Sequence, residues 1–192
     1  MTRAVGAVLV ISWVLLGLPE VTALDLWVQS RVPRPEWLRT ASTFFGYVFG
    51  PVVASAFGVG LAVIAYRKKD ARLWRGLVLF GLCWGTLLSR YLFRRVRPVD
   101  YPQWAYPSGH TVAVAAVGFT LVVLLGRGAT IAVTATVLTA ASRVVLERHW
   151  VTDVIGSVLG VVGVGLLAAL ALGLVTSGRD VVPHFRRSGP GS

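Results

Sequence analysis

Six long apolar stretches, separated by short polar ones, set the pattern of this chain. They cover residues of about 4–24, 41–66, 75–93, 110–126, 129–147 and 154–176. A helix needs roughly 20 apolar residues to cross a bilayer, so each stretch reads as a spanning helix. The second and sixth contain no charged residue. Gly126-Arg127-Gly128 separates the fourth from the fifth and predicts a tight turn between antiparallel helices. The pattern predicts an all-α polytopic membrane protein, a six-transmembrane-helix bundle in one domain over residues 1–176. A polar, disordered tail is expected over 177–192. Pro51 is expected to kink the second helix. Gly156, Gly160, Gly163 and Gly165 on the sixth stretch, and Gly50, Gly58 and Gly60 on the second, predict close helix packing.

The first stretch also has features of a secretory signal, with Arg3 ahead of an apolar core and Val21-Thr22-Ala23 as a cleavage site. An uncleaved span is the preferred reading, because it leaves an even number of helices. The sequence after it, Asp25 to Arg39, reads as a loop whose Trp27 and Trp37 sit at the membrane interface.

Composition supports the membrane reading. Hydrophobic residues make up 55% of the 192, and mean hydropathy is +0.72. Charged residues are 14%, against about 25% in a soluble domain. The net charge of +11 lies mainly between apolar stretches and includes no basic arm, which favours anionic lipid over nucleic acid as the partner. The 17 Arg against 2 Lys point to GC-rich coding and a bacterial source. A single cysteine, Cys83, excludes an intrachain disulfide and a cysteine-based metal site.

Span counting places chemistry. With six spans, the loops after the first, third and fifth share one membrane face. With the termini inside, inner segments carry ten Lys or Arg and outer segments nine, or six once Arg90, Arg97 and Arg143 are set aside as site residues. The cluster Arg67, Lys68, Lys69, Arg72 and Arg75 marks the cytoplasmic side, so the outer loops are expected to face away from the cytoplasm.

Three polar blocks fall on those outer loops: Arg90 with Arg97-Pro98, Pro107-Ser108-Gly109-His110, and Ser142-Arg143 with His149 and Asp153. Arg90 lies near the end of an apolar run, where an unpaired charge is costly and a functional role is the default. Arginines grip phosphate oxygens with two parallel donors. Ser108 is placed to cap the fourth helix, whose free N–H groups can hold an anion, and Gly109 permits close approach. His149 and Asp153 are four apart. A carboxylate bonded to one imidazole nitrogen fixes the tautomer and leaves the other nitrogen free to attack. The inventory suggests His149 as nucleophile toward phosphorus and His110 as general acid, then base for water, with the arginines and Ser108 stabilising equatorial charge. Two histidines and a carboxylate could also hold a divalent ion, but three arginines would repel it. Arg94, Arg95 and Arg148 read as headgroup contacts or solvated charge. Tyr101, Trp104 and Tyr106 read as a headgroup border or interfacial anchors.

The blocks resemble the signature of the type 2 phosphatidic acid phosphatase family: Lys-x6-Arg-Pro, Pro-Ser-Gly-His and Ser-Arg-x5-His-x3-Asp. The second and third match in full, and Arg90 stands where the family usually has Lys. The resemblance covers residues 90–153. It implies a metal-independent phosphatase with a six-helix core, no cofactor and a phosphohistidine intermediate. It assigns His149 as nucleophile, Asp153 as its partner, His110 as acid and base, and phosphate binding to Arg90, Arg97, Ser108, Gly109 and Arg143. A site at the membrane surface suits a lipid phosphate: phosphatidic acid, phosphatidylglycerol phosphate or a polyprenyl pyrophosphate. Phosphoryl transfer to a lipid or sugar alcohol, vanadate-dependent halide oxidation and a non-enzymatic membrane role are the alternatives.

Overall fold

The computed structural model describes residues 1–175, and the expected tail at 177–192 lies outside them. The described residues form helices and no strands: α1 Thr2–Gly17, α2 Ala23–Arg31, α3 Glu36–Val48, α4 Pro51–Lys68, α5 Ala71–Gly85, the short α6 Arg90–Phe93, α7 Gly109–Leu125, α8 Ala129–Val145 and α9 Val151–Ala171. A 3₁₀ turn over Thr86–Ser89 joins α5 to α6. Residues 36–68, 71–93 and 151–171 are long and apolar enough to cross a membrane. Helices α1, α7 and α8 are apolar but shorter.

Three expectations change. The first apolar stretch stops being helical at Gly17, and residues 23–31, expected as loop, are a helix. A capping box starts it: Asp25 N–H donates to Thr22 Oγ1 at 3.1 Å, and Thr22 N–H donates to Asp25 Oδ2 at 3.0 Å. The second stretch is broken rather than kinked. Phe49 N–H closes α3 on Phe45 O, and Gly50 is extended at φ −80°, ψ 178°. Pro51 then opens α4 at a position where its missing N–H costs nothing. The two halves therefore find different neighbours, α3 packing on α8 and α4 on α5 and α7. The sixth stretch is helical from Val151 to Ala171 rather than 154–176.

Helix α7 sits in the middle. Its Val112, Ala113, Ala115 and Ala116 pack with Leu79, Phe80 and Cys83 of α5, Ala54 of α4, and Val161, Ala168 and Ala169 of α9. The apolar residues on the outside, among them Val5, Val8, Ile11, Val52 and Ile131, present the face that a bilayer covers. The α1–α9 pair is the most extensive contact and rests on small residues. A Cβ on Gly160 would meet the Trp13 ring at 2.9 Å, and one on Gly163 would meet Val10 N at 2.9 Å. The glycines on α9 thus allow two backbones to approach closely, as their spacing suggested.

This contact is testable. Gly163→Val is expected to lower stability by about 1–3 kcal/mol through overpacking against α1. Gly81→Ala, whose Cβ meets nothing within 4 Å, should leave it unchanged. Thermal unfolding of the detergent-solubilised protein reads both.

Candidate active site

Several elements meet at one end of the bundle: α3, the start of α4, α6 and the loop after it, the first turn of α7, the end of α8 and the α8–α9 connection. They enclose a cavity of about 440 Å³. Arg90, Arg97, Gly109, His110, Arg143 and His149 all line it, so residues separated by up to 59 positions in sequence converge on one space.

His149 is buried, and its ring is fixed from both sides. Nδ1 faces Asp153 Oδ2 at 3.5 Å, and Nε2 lies 3.3 Å from Arg97 Nη1. A guanidinium can only donate, so Nε2 must accept and the ring proton sits on Nδ1, toward the carboxylate. Burial holds the imidazole below its ordinary range. The Asp153 carboxylate opposes this shift, and the Arg97 charge adds to it. The result is a neutral ring with a lone pair on the cavity side. Asp153 is the third residue of α9, and its Oδ2 also accepts the Trp150 N–H at 2.8 Å, so the carboxylate caps its own helix. At 3.5 Å the His149–Asp153 contact is an ion-pair approach longer than a good hydrogen bond.

Arg97 is clamped by backbone. Nε donates to Gln103 O at 2.7 Å, Nη1 to Arg148 O at 2.9 Å and Nη2 to Trp104 O at 3.3 Å. Its guanidinium lies 4.5 Å from the centre of the Tyr101 ring, with Arg148 5.1 Å from the same centre. Burial, then the nearby charge of Arg90, lower its pKa to about 10, which still leaves it a cation. Arg143, at the end of α8, donates from Nη2 to Ser42 O and from Nε to Ser142 Oγ, both at 3.1 Å. Its guanidinium occupies the space that a side chain at Gly46 would fill. Arg90 reaches Pro107 O and Gln103 Oε1 only at 3.5 Å, so its donors remain largely available. A Cβ at Gly109 would stand 3.2 Å from Arg90 Nη2, which shows why the first residue of α7 is small.

Ser108 occupies the N-cap position of α7, as expected, but its hydroxyl makes no capping bond. It is fully buried, accepts from Thr111 Oγ1 at 3.2 Å and donates its N–H to Ser157 Oγ at 2.8 Å. Its side chain does not line the cavity; Gly109 and His110, the next two residues, do.

Two aromatic and basic residues depart from the sequence reading. Tyr106 is no interfacial anchor: it is fully buried against Gly156 of α9 and donates its hydroxyl to Trp13 O of α1. Arg95 is neither solvated nor at a headgroup. It is 1% exposed and bonded to Asp25, Thr152 and Asp153. Arg94 is exposed as expected, and Arg148 is exposed at the cavity rim. Sequence reasoning also missed the wall supplied by α3, where Arg39, Thr43, Gly46 and Tyr47 face the cavity. Arg39 is held there by Glu147 at 3.0 Å. The Thr22-x-x-Asp25 spacing was a legible helix start, but nothing nearby in sequence tied Asp25 to Arg95.

A family model described as the PAP2 superfamily matches residues 96–175. That stretch takes in Arg97 and the whole of the second and third blocks, and leaves Arg90 just outside. A search of the curated proteins returns no match. Among solved structures, the chain is similar to one described as the first transmembrane PAP2 type phosphatidylglycerolphosphate phosphatase from Bacillus subtilis. Identity is 21% and the TM-score 0.70, over 91% of this chain and 98% of that one. The shared fold is an all-helical membrane fold. Residues 96–175 are thus similar to the PAP2 superfamily, and Arg97, Gly109, His110, Arg143 and His149 within them line one cavity.

Proposed function

We propose that this protein is a membrane lipid phosphatase that hydrolyses phosphate monoesters or pyrophosphates of lipids through a phosphohistidine on His149. The observation that carries the reading is the His149 ring: a buried neutral imidazole whose Nε2 lone pair faces a cavity lined by Arg90, Arg97 and Arg143.

The chemistry follows from that arrangement. A phosphate entering the cavity offers oxygens to three guanidinium groups and to the N-terminal turn of α7. It draws the Arg97 donor away from Nε2 and frees the lone pair to attack phosphorus. Nε2–P forms as the ester P–O breaks, and His110 gives its proton to the leaving oxygen. Asp153 steadies the positive charge that the ring then carries on Nδ1–H. His110, now a base, activates a water that releases inorganic phosphate. The charge on the equatorial oxygens meets fixed arginines throughout. A cavity with this much positive charge suits an anion far better than a divalent cation.

The site is proposed to face away from the cytoplasm. Pro51, at the start of α4, lines the cavity, and the basic run Arg67, Lys68, Lys69 begins at the helix's other end. Eighteen residues at 1.5 Å each put roughly 27 Å between the two. The positive-inside rule assigns the basic end to the cytoplasm. The substrate's tail stays in lipid. Phosphatidic acid, phosphatidylglycerol phosphate and polyprenyl pyrophosphate all meet the chemistry, and the similar solved structure is described as acting on the second of these.

Phosphate release from a panel of these lipids, in detergent with excess EDTA, tests the reading. The wild type should be active, and His149→Ala should lose at least about 10³-fold in kcat. Activity abolished by EDTA, or kept by His149→Ala, would sink it. Gly46→Ala should push the Arg143 guanidinium out of its seat and cost about tenfold or more in kcat/KM, with Gly60→Ala, which meets nothing within 4 Å, as the neutral control. The attacking ring must be unprotonated, and burial lowers its pKa from the ordinary 6.5. The rate should therefore rise with pH through a limb below 6.5 and be lost under it; a limb above 6.5 contradicts the assignment.

A further inference from the structure

The chemistry above uses Asp153 but leaves unexplained why three charges are buried behind it. Arg95 Nη1 donates to Asp153 Oδ1 at 2.9 Å, and Arg95 Nη2 donates to Asp25 Oδ2 at 2.6 Å. All three side chains are completely inaccessible. Thr152 joins them: its N–H donates to Asp25 Oδ1 at 2.9 Å, and its hydroxyl accepts from Arg95 Nη1 at 2.7 Å. Arg95 Nε donates to Glu20 O. One guanidinium therefore holds two carboxylates from opposite ends of the chain, one of them the partner of His149.

We infer that Arg95 and Asp25 are positioning residues for the reaction, acting through Asp153 to orient its carboxylate on His149 and to set the net charge behind the ring. This rests on the phosphohistidine reading of the same site. The orientation is mechanical. With Oδ1 taken by Arg95 and Oδ2 by the Trp150 N–H, the Asp153 carboxylate cannot rotate, and Oδ2 remains aimed at Nδ1. The charge argument is arithmetic. Arg95 alone would cancel Asp153 and leave nothing to meet the cationic phosphoimidazolium. Asp25 restores one negative charge to the group. Burial would by itself raise the Asp25 pKa, but the hydrogen bonds from Thr152 and Thr22 outweigh it and keep the carboxylate ionised.

The other charged and titratable groups about His149 are untouched by a substitution at Asp25 or Arg95. They are Arg97 on the loop after α6, His110 on α7, Arg143 and Arg148 on and after α8, and Arg90 on α6. A shift in His149 titration thus reports the network. Removing the negative charge of Asp25 lowers the ring's pKa, and removing the positive charge of Arg95 raises it.

The test is a pair of variants with opposite signs, made in the full chain and measured with the lipid phosphate the wild type turns over. Asp25→Asn should move the acid limb of kcat/KM to lower pH by about half a unit or more, and Arg95→Gln should move it up by a similar amount. Both should lose about tenfold or more in kcat while KM changes by less than about threefold, since neither residue touches the phosphate. ¹⁵N-histidine NMR should show the His149 titration moving in the same two directions without substrate. Either variant decides alone if the other does not fold. Limbs and NMR titrations within about 0.2 unit of wild type, with activity or stability lowered, would show a purely structural ion pair and overturn the inference. His149→Ala runs beside them. If it keeps wild-type activity the phosphohistidine reading fails; if it is inactive while the limbs stay fixed, only the present inference fails.

Discussion

One buried guanidinium organises this structure. Arg95 bridges Asp25 at the start of α2 and Asp153 at the start of α9, and all three side chains are out of reach of water. Burying such a pair is costly unless every partner is present, and losing one partner strands a charge. The interaction therefore forms only when the N-terminal region, the loop after α6 and the α8–α9 connection are docked together. Those are the segments that carry Arg97 and His149. Tyr106 stands beside the network, with its ring centre 6.0 Å from the Arg95 guanidinium carbon, and ties the same loop to α1 and α9. Satisfying these charges thus holds the loop that carries Arg97 against the helix start that positions His149.

The helical architecture was legible because apolar length is a direct record of what lipid requires. The blocks were legible because polar groups stand out in apolar sequence, and the arginines, His110, His149 and Asp153 do come to one place. What stayed hidden depended on partners far along the chain. Arg95 looks like its neighbour Arg94 in sequence, yet one is sealed inside and the other exposed; the difference is Asp25, 70 residues away. Gly46 reads as an ordinary small residue in an apolar helix, and only the Arg143 side chain, 97 positions later, shows what its missing Cβ is for. Ser108 was placed correctly at its helix start, but its hydroxyl accepts from the Thr111 hydroxyl and makes no capping bond.

The departure from Lys at Arg90 has a geometric setting. The guanidinium lies over Gly109 and makes only long contacts to Pro107 O and Gln103 Oε1. A planar fork can engage two phosphate oxygens where an ammonium engages one point. Gly109 leaves the room that the broader group needs.

The break at Gly50 also bears on where the cavity stands. Residues 36–68 as one straight helix would measure roughly 50 Å, against about 30 Å of hydrocarbon in a bilayer. An element that long must tilt steeply or project into water. Ending α3 at Phe49 divides the excess. The stretch from Pro51 to Lys68 is about the thickness of the apolar slab, and α3 is free to run along another direction. Its first turns carry Glu36 and Arg39, charged groups that belong among headgroups. Under the proposed function, a pocket walled by such a segment opens at headgroup depth, where a lipid's phosphate resides without leaving its leaflet.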